Sequence, residues 1–222
     1  MPNTNDIVTF HEPPVPEGQS PYVPGAGPSL NFDIVDWNDA WAGQFELLAK
    51  EIEDALGWRA LVIEHVGSTS VPGLPAKPII DIDLIVADPN DEALYVPALE
   101  RAGFELRVRE PWWFGYRVLR HSELACHLHV FGYDSPEVIK HRIFRDWLRA
   151  NPDVAFSMQT PSVKLQLCHG PPANILCRTT PARNSSSKRF TVKRSSPQVY
   201  SRLRNYEKGR AVPQSVRLTG PQ

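Results

Sequence analysis

Cysteine, net charge and long apolar runs are all scarce in this sequence. Among 222 residues there are three cysteines, Cys126, Cys168 and Cys177. Their odd number and irregular spacing fit neither a disulfide framework nor a paired zinc motif, which favours free thiols in a reducing cytosol. The 24 basic and 25 acidic residues leave a formal net charge of -1. The chain as a whole therefore has no field that would attract nucleic acid or an anionic membrane.

Segments for membrane insertion or export are also missing from the printed sequence. The apolar run at 79–86 is interrupted by carboxylates and is far shorter than the roughly 20 residues of a spanning helix. The first residues lack the basic and apolar regions of a secretory signal. We therefore expect a cytoplasmic protein with no membrane partner, and we do not expect nucleic acid among its partners.

The ends of the chain differ in composition from its middle. Proline and glycine crowd 13–28 without any apolar period, so we predict a disordered leader over residues 1–30. Residues 31–155 are predicted to form one domain, and residues 156–222 a poorly structured tail. The shift in composition at the tail also resembles out-of-frame translation. Sequencing the transcript tests that hypothesis, which an intact frame ending at Gln222 would contradict.

Apolar periodicity within the domain alternates between helical and extended patterns. This order predicts an α/β (α+β) fold in which helices flank a mixed sheet. Polar residues at 120–123 predict a hairpin between two of the strands. Ser135 and Pro136 have the residue types of a helix N-cap and first turn. Helices are predicted at 41–55, 91–102 and 136–150, and strands at 32–35, 61–66, 79–86, 104–106, 113–119 and 125–131.

Two aspartates follow the turn-rich segment at 67–78. Because side chains alternate along a strand at about 3.3 Å per residue, Asp81 and Asp83 should share one face. Two carboxylates so placed can bind one Mg²⁺ and leave coordination positions for substrate phosphates. The alternative is a solvated strand face with no ligand.

The turn before those aspartates is rich in groups that suit a phosphate. Gly67 allows a ligand to approach the backbone closely, and the amides and hydroxyls of Ser68, Thr69 and Ser70 can donate hydrogen bonds to phosphate oxygens. Lys77 can add a positive charge. The alternative is a plain loop that ends a strand.

Histidines and arginines later in the chain are further candidates. His127 and His129 should share one strand face, where an imidazole can bind a metal or an anion, or simply satisfy hydrogen bonds beside a cleft. Arg142, Arg145 and Arg149 form a basic stripe on the last predicted helix. The stripe can contact phosphate, or it can pair with acids as an ordinary solvated face.

Taken in order, the Gly-Ser turn, the Asp-x-Asp strand, the stretch 127–130 and the stretch 144–149 resemble the GrpB family, a branch of the nucleotidyltransferase-like superfamily. The resemblance covers residues 31–151. It implies that the turn holds nucleotide phosphates, that Asp81 and Asp83 bind the metal, and that a polar group on a later strand completes the site. In active nucleotidyltransferases this third group is normally a carboxylate, whereas here the strand offers His127 and His129.

These observations predict a protein that binds a nucleoside triphosphate with Mg²⁺ and can transfer a nucleotidyl group to an unidentified acceptor. Two alternatives remain open. One is a nucleotide- or coenzyme-binding module without turnover, and the other is an interaction scaffold. Catalytic roles are predicted for Asp81, Asp83 and His129. Phosphate contacts are predicted for Gly67, Ser68, Thr69, Ser70, Lys77, Arg142 and Arg145.

Overall fold

The computed structural model describes residues 2–9, 13–27 and 33–157 of the chain. Short 3₁₀ turns lie at 57–59, 68–70 and 92–94. The helices are α1 (Thr4–Val8), α2 (Ala40–Leu56), α3 (Val96–Arg101), α4 (Pro136–Ala150) and α5 (Pro152–Ser157). The strands are β1 (Val62–Val66), β2 (Ile80–Val86), β3 (Phe104–Glu110), β4 (Tyr116–His121) and β5 (Cys126–Gly132).

The five described strands form one mixed sheet in the order β1-β2-β5-β4-β3. Strands β2 and β5 are parallel, and the other neighbouring pairs are antiparallel. The predicted mixed sheet with flanking helices is confirmed, as is the hairpin that joins β4 to β5. Strands β2 and β5 lie side by side in the interior of the sheet and carry the acids and histidines of the candidate site.

One face of the sheet packs against α2 and α3 and forms the main core. Helix α2 buries Leu48 and Ile52 at the spacing of one helical face and ends at Gly57, whose φ of 56° suits glycine. Strand β2 contributes Ile80 and Ile82 to the same core. Because side chains alternate along a strand, the two aspartates of β2 face the opposite side of the sheet.

Helix α4 covers part of that opposite face. The Ser135 side chain accepts a hydrogen bond from the backbone N–H of Glu137, and proline occupies the first turn, as the sequence predicts. Helix α4 buries Val138 and Leu148, whereas Ile139, Ile143 and Trp147, whose helical spacing favours a core-facing side, are half-buried.

Part of the predicted leader contacts the domain. The backbone N–H of Val23 donates to the carbonyl of Arg107, and the N–H of Arg109 donates to the carbonyl of Pro21, so residues 21–23 lie along the edge of β3. The prediction of a disordered leader did not include this contact. Most of the predicted tail, from residue 158 onward, lies outside the described residues. Within the described part of the chain, none of the helices combines the length and the apolar character needed to cross a membrane.

Candidate metal and phosphate site

The register between β2 and β5 brings the predicted acids and histidines together. Asp81 is directly opposite His127, and Asp83 is directly opposite His129. Paired residues on neighbouring strands point to the same side of a sheet. The two predicted pairs therefore form a compact polar patch on the face that α4 partly covers.

Three of these side chains converge closely enough to hold one cation. One ligand atom from each of Asp81, His127 and His129 lies within 4.8 Å of the other two. Asp81 Oδ1 is 3.3 Å from His127 Nδ1 and 3.5 Å from His129 Nε2. Burial raises the pKa of Asp81, but the two neighbouring histidines outweigh burial and lower that pKa below its usual range. Asp81 is thus a carboxylate at neutral pH, as a metal ligand must be.

His129 is the most enclosed member of this triad, with 2% of its side chain exposed. Its Nδ1 lies 2.6 Å from the hydroxyl of Tyr116. Its Nε2 is buried and makes no hydrogen bond to any described residue. Buried polar atoms are usually paired, so an unpaired Nε2 that faces a carboxylate is a feature that a bound cation would explain.

Asp83 has a different partner from the one that the sequence indicates. Its fully buried carboxylate contacts Nδ1 of His141 on α4, at 3.1 Å through Oδ1 and 2.9 Å through Oδ2. Burial lowers the pKa of His141, but the charge and hydrogen bond of Asp83 outweigh burial, so that the pKa is raised. Among the described residues Asp83 does not join the triad. The geometry therefore favours Asp81 with two histidines over the predicted Asp81 and Asp83 pair.

The basic stripe on α4 is occupied by contacts within the protein. Arg142 forms a bidentate ion pair with Glu64 on β1, at 3.0 and 2.7 Å. Arg145 is 3.4 Å from the same carboxylate and donates to the carbonyl of His65 at 2.9 Å. Arg149 donates twice to the carbonyl of Ser70. These contacts attach α4 to β1 and to the turn, and a phosphate would have to compete with them.

The Gly-Ser turn packs directly against the triad. Gly67 has a φ of 71°, and a Cβ added there would collide with the Asp81 carboxylate. Thr69 and Ser70 are buried, and their hydroxyls donate to the carbonyls of Ile79 and Gly67, at 3.1 and 2.7 Å.

These contacts divide the predicted phosphate-binding residues of the turn into two groups. The hydroxyls of Thr69 and Ser70 stabilise the turn itself, whereas Ser68 is half-buried and caps no carbonyl in the described part of the structure. Lys77 is half-buried in the segment between the turn and β2. Of the three predicted hydroxyl donors, Ser68 is the one best placed to contact a phosphate.

His65 supports the turn from the core side of β1. Its ring stacks on Phe45 with centroids 4.7 Å apart, and its Nε2 lies 3.1 Å from the Thr69 hydroxyl. Burial lowers the pKa of His65 to about 4, with the charge of Asp81 opposing this shift and nearby arginines adding to it. His65 is therefore neutral in the folded protein at neutral pH.

This shift predicts a loss of stability in acid. The unfolded chain binds a proton at His65 near pH 6.5, and the folded chain only near pH 4. Stability therefore falls as pH drops through this window, and this side chain should account for about 3 kcal/mol of the loss. Urea unfolding with a chelator present, at several pH values, should show a smaller pH dependence in His65→Gln than in the wild type. Equal slopes would contradict this account.

Three residues that shape the site were not predicted. His141 lies 58 residues along the chain from its partner Asp83. Tyr116 lies 13 residues from its partner His129, and Glu64 lies 78 residues from its partner Arg142. Helical spacing offers one signal, because His141 lies one turn from Val138 and from Arg145 on the inward side of α4. No comparable local pattern identifies Tyr116 or Glu64, since their roles depend on strand pairing and on helix docking.

Comparisons with known proteins find relatives of part of this chain. A UPF0157 protein of Halalkalibacterium halodurans is 51% identical over 123 residues, which are 55% of this chain and 63% of that protein. The chain therefore spans less than two thirds of that relative's length. The crystal structure of the conserved protein GrpB from Enterococcus faecalis matches with a TM-score of 0.51 and 36% identity, over 56% of this chain and 77% of that one.

Two further matches bear on the family and on the extent of the domain. A protein named dephospho-CoA kinase from Mycolicibacterium paratuberculosis is 30% identical over 148 residues, which are 54% of this chain and 36% of that protein. The family model described as GrpB protein matches residues 31–174, beyond the predicted domain end at residue 155. Since this match covers more than half of the sequence, the chain belongs to the GrpB family.

Proposed function

We propose that the protein belongs to the nucleotidyltransferase-like superfamily and binds a nucleoside triphosphate through a divalent cation at Asp81, His127 and His129. The observation that carries this proposal is the contact between Gly67 and Asp81, where an added Cβ would overlap the carboxylate. The contact brings the predicted phosphate turn and the predicted metal ligand into one site. A cation at the triad would lie beside the turn and could bridge to phosphate oxygens.

The ion pairs around the site favour a binding mode in which the metal ion and the turn hold the phosphate, rather than arginine or histidine side chains. Arg142 and Arg145 are paired with Glu64, and His141 is paired with Asp83. Breaking such partly buried pairs would cost binding energy. The Ser68 hydroxyl and the backbone of the turn require no such exchange, because Thr69 and Ser70 already hold the turn in shape.

Nucleotidyl transfer is the reaction that this arrangement would support. Asp81, His127 and His129 would hold the cation, which would supply neutralisation of the charge that develops when an acceptor hydroxyl attacks the α-phosphate in line. The ion predicted from the sequence is Mg²⁺, which commonly accompanies nucleotide phosphates. Transfer should release pyrophosphate.

A second candidate is a module that binds a nucleotide or a coenzyme without turnover. It is favoured by imidazoles, rather than a third carboxylate, next to Asp81. It also fits the similarity to a protein named dephospho-CoA kinase, whose name denotes a nucleotide-containing ligand. This candidate predicts binding with no release of pyrophosphate.

Calorimetric titration of the full chain tests for nucleotide binding, and release of pyrophosphate then distinguishes the two candidates. ATP, CTP, GTP and UTP are tested with no cation, with Mg²⁺ and with Mn²⁺, in the wild type and in Asp81→Ala. We expect cation-dependent binding that is lost in Asp81→Ala and retained in Asp54→Ala. Asp54 is a matched control because it is exposed and pairs with Lys50 on α2. A folded sample that binds no nucleotide under any condition would contradict the proposal and favour the interaction scaffold.

A further inference from the structure

We infer that the ion held by Asp81, His127 and His129 is an imidazole-preferring transition metal of the zinc class, and that Mg²⁺ is not the ion of this triad. The inference rests on the cation site of the proposed function, but it requires no nucleotide. It concerns which ion the protein itself selects.

Contacts with α4 determine which carboxylates on this face remain available to bind a cation. Three acids, Glu64, Asp81 and Asp83, lie on neighbouring positions of β1 and β2. Both oxygens of Asp83 contact His141, and both oxygens of Glu64 contact arginines of α4. Of these three acids, Asp81 is the one that lies in a group with two other potential ligands, and both of those are imidazoles.

This donor set does not suit magnesium. Mg²⁺ requires oxygen ligands in near-ideal octahedral geometry, whereas imidazole nitrogen suits zinc, iron, nickel and copper. Two nitrogens and one carboxylate oxygen also leave room for an exogenous ligand, as in zinc sites that keep an open position. A phosphate oxygen or a water molecule could occupy that position.

The distances between ligand atoms agree with this assignment. Bonds of about 2.05 Å in a tetrahedron place neighbouring ligand atoms about 3.3 Å apart. An octahedron with bonds of the same length places adjacent ligands about 2.9 Å apart. Asp81 Oδ1 is 3.3 Å from His127 Nδ1 and 3.5 Å from His129 Nε2, close to the tetrahedral value.

The surroundings of His129 support the inference independently of these distances. Its Nε2 is buried, makes no hydrogen bond to a described residue and faces Asp81. Its other ring nitrogen lies 2.6 Å from the Tyr116 hydroxyl. With a metal on Nε2 the ring proton must be on Nδ1, which then donates to the Tyr116 oxygen. A partner of this kind fixes the tautomer and orientation of a metal-binding histidine, so Tyr116 is a positioning residue.

Cobalt titration of untagged, EDTA-treated full-length protein, with no nucleotide present, tests the inference. Co²⁺ should bind with one equivalent and give a visible spectrum, Zn²⁺ should displace it, and millimolar Mg²⁺ should not. His127→Ala should raise the dissociation constant of Co²⁺ at least 100-fold. Tyr116→Phe should raise it about tenfold with a shifted spectrum. Asp54→Ala, which removes an exposed carboxylate on α2 that pairs with Lys50, is the control and should leave the affinity unchanged.

Circular dichroism and thermal unfolding establish that each variant is folded. His129→Ala removes a more deeply buried side chain, so the half-buried His127 carries the test if that variant does not fold. Displacement of Co²⁺ by millimolar Mg²⁺, or unchanged Co²⁺ binding in folded His127→Ala, would overturn the inference. A sulfur-to-cobalt charge-transfer band would also overturn it by assigning the ion to cysteine.

The proposed function fails separately from this inference. Zinc-class binding without any nucleotide affinity would support the inference and contradict the function. Mg²⁺-dependent nucleotide binding that is lost in folded His127→Ala, in a protein whose Co²⁺ is displaced by millimolar Mg²⁺, would support the function and contradict the inference.

Discussion

Gly67→Ala is expected to lower the free energy of unfolding by about 2–4 kcal/mol and to weaken cation binding at least tenfold. Two effects combine at this position. Gly67 has a φ of 71°, which side chains rarely adopt, and an added Cβ would overlap the Asp81 carboxylate. Either the turn or the carboxylate must move, and a displaced Asp81 can no longer align with His127 and His129.

Gly57→Ala is the matched control for Gly67→Ala. Gly57 also has a positive φ, 56°, but an added Cβ would meet no described atom within 4 Å. We expect Gly57→Ala to cost about 1 kcal/mol, the cost of the backbone conformation alone, with cation affinity unchanged. Urea unfolding and cation titration measure both quantities. Equal effects at the two glycines would show that contact with Asp81 does not matter.

Asp83→Ala is expected to reduce the free energy of unfolding by about 3 kcal/mol and to weaken cation binding by less than tenfold. The Asp83 carboxylate is fully buried and contacts His141 through both oxygens. Removing it leaves a buried imidazole without its partner. Asp81→Ala, in contrast, should weaken cation binding at least 100-fold because it removes a direct ligand.

The pH dependence of Asp83→Ala gives a second readout. Because the pKa of His141 is raised, its stabilising contribution is complete below the ordinary value of 6.5 and is lost as pH rises through the raised pKa. Wild type should lose this contribution in that window, and Asp83→Ala should not. If cation affinity falls as far in Asp83→Ala as in Asp81→Ala, Asp83 is a metal ligand, as the sequence predicts, and the triad is wrong.

Local patterns predicted much of the fold because they depend on neighbouring residues. The alternation of Asp81 and Asp83 with apolar residues placed both acids on one face of β2, and the structure agrees. Helical spacing predicted a helix at 41–55, which the structure has as α2 (Ala40–Leu56). The cap at Ser135 was predicted in the same way.

The pairing of charges within the site depends on longer-range contacts. Nothing local to β2 or β5 specifies that these two strands pair in parallel, with Asp81 opposite His127. Docking of α4 then decides that Asp83 contacts His141 and that Glu64 contacts Arg142. These contacts leave Asp81, of the three acids, grouped with the two imidazoles of His127 and His129 as potential ligands.

The inward face of α4 was difficult to predict for a physical reason. Apolar periodicity assumes that a helix turns its apolar side towards the core. Helix α4 covers the polar face of the sheet, and it turns His141, Arg142 and Arg145 towards β1 and β2. The basic stripe, which resembles a solvated face, is the surface that attaches the helix to the sheet.

The most direct test of the account is the anomalous diffraction of crystals grown with Co²⁺ or Mn²⁺ and a non-hydrolysable nucleoside triphosphate. We predict an anomalous peak bonded to Asp81, His127 Nδ1 and His129 Nε2, with a phosphate oxygen on the same ion beside the turn at Gly67 and Ser68. A nucleotide bound elsewhere, or an ion shared by Asp81 and Asp83 with His141 displaced, would contradict the account.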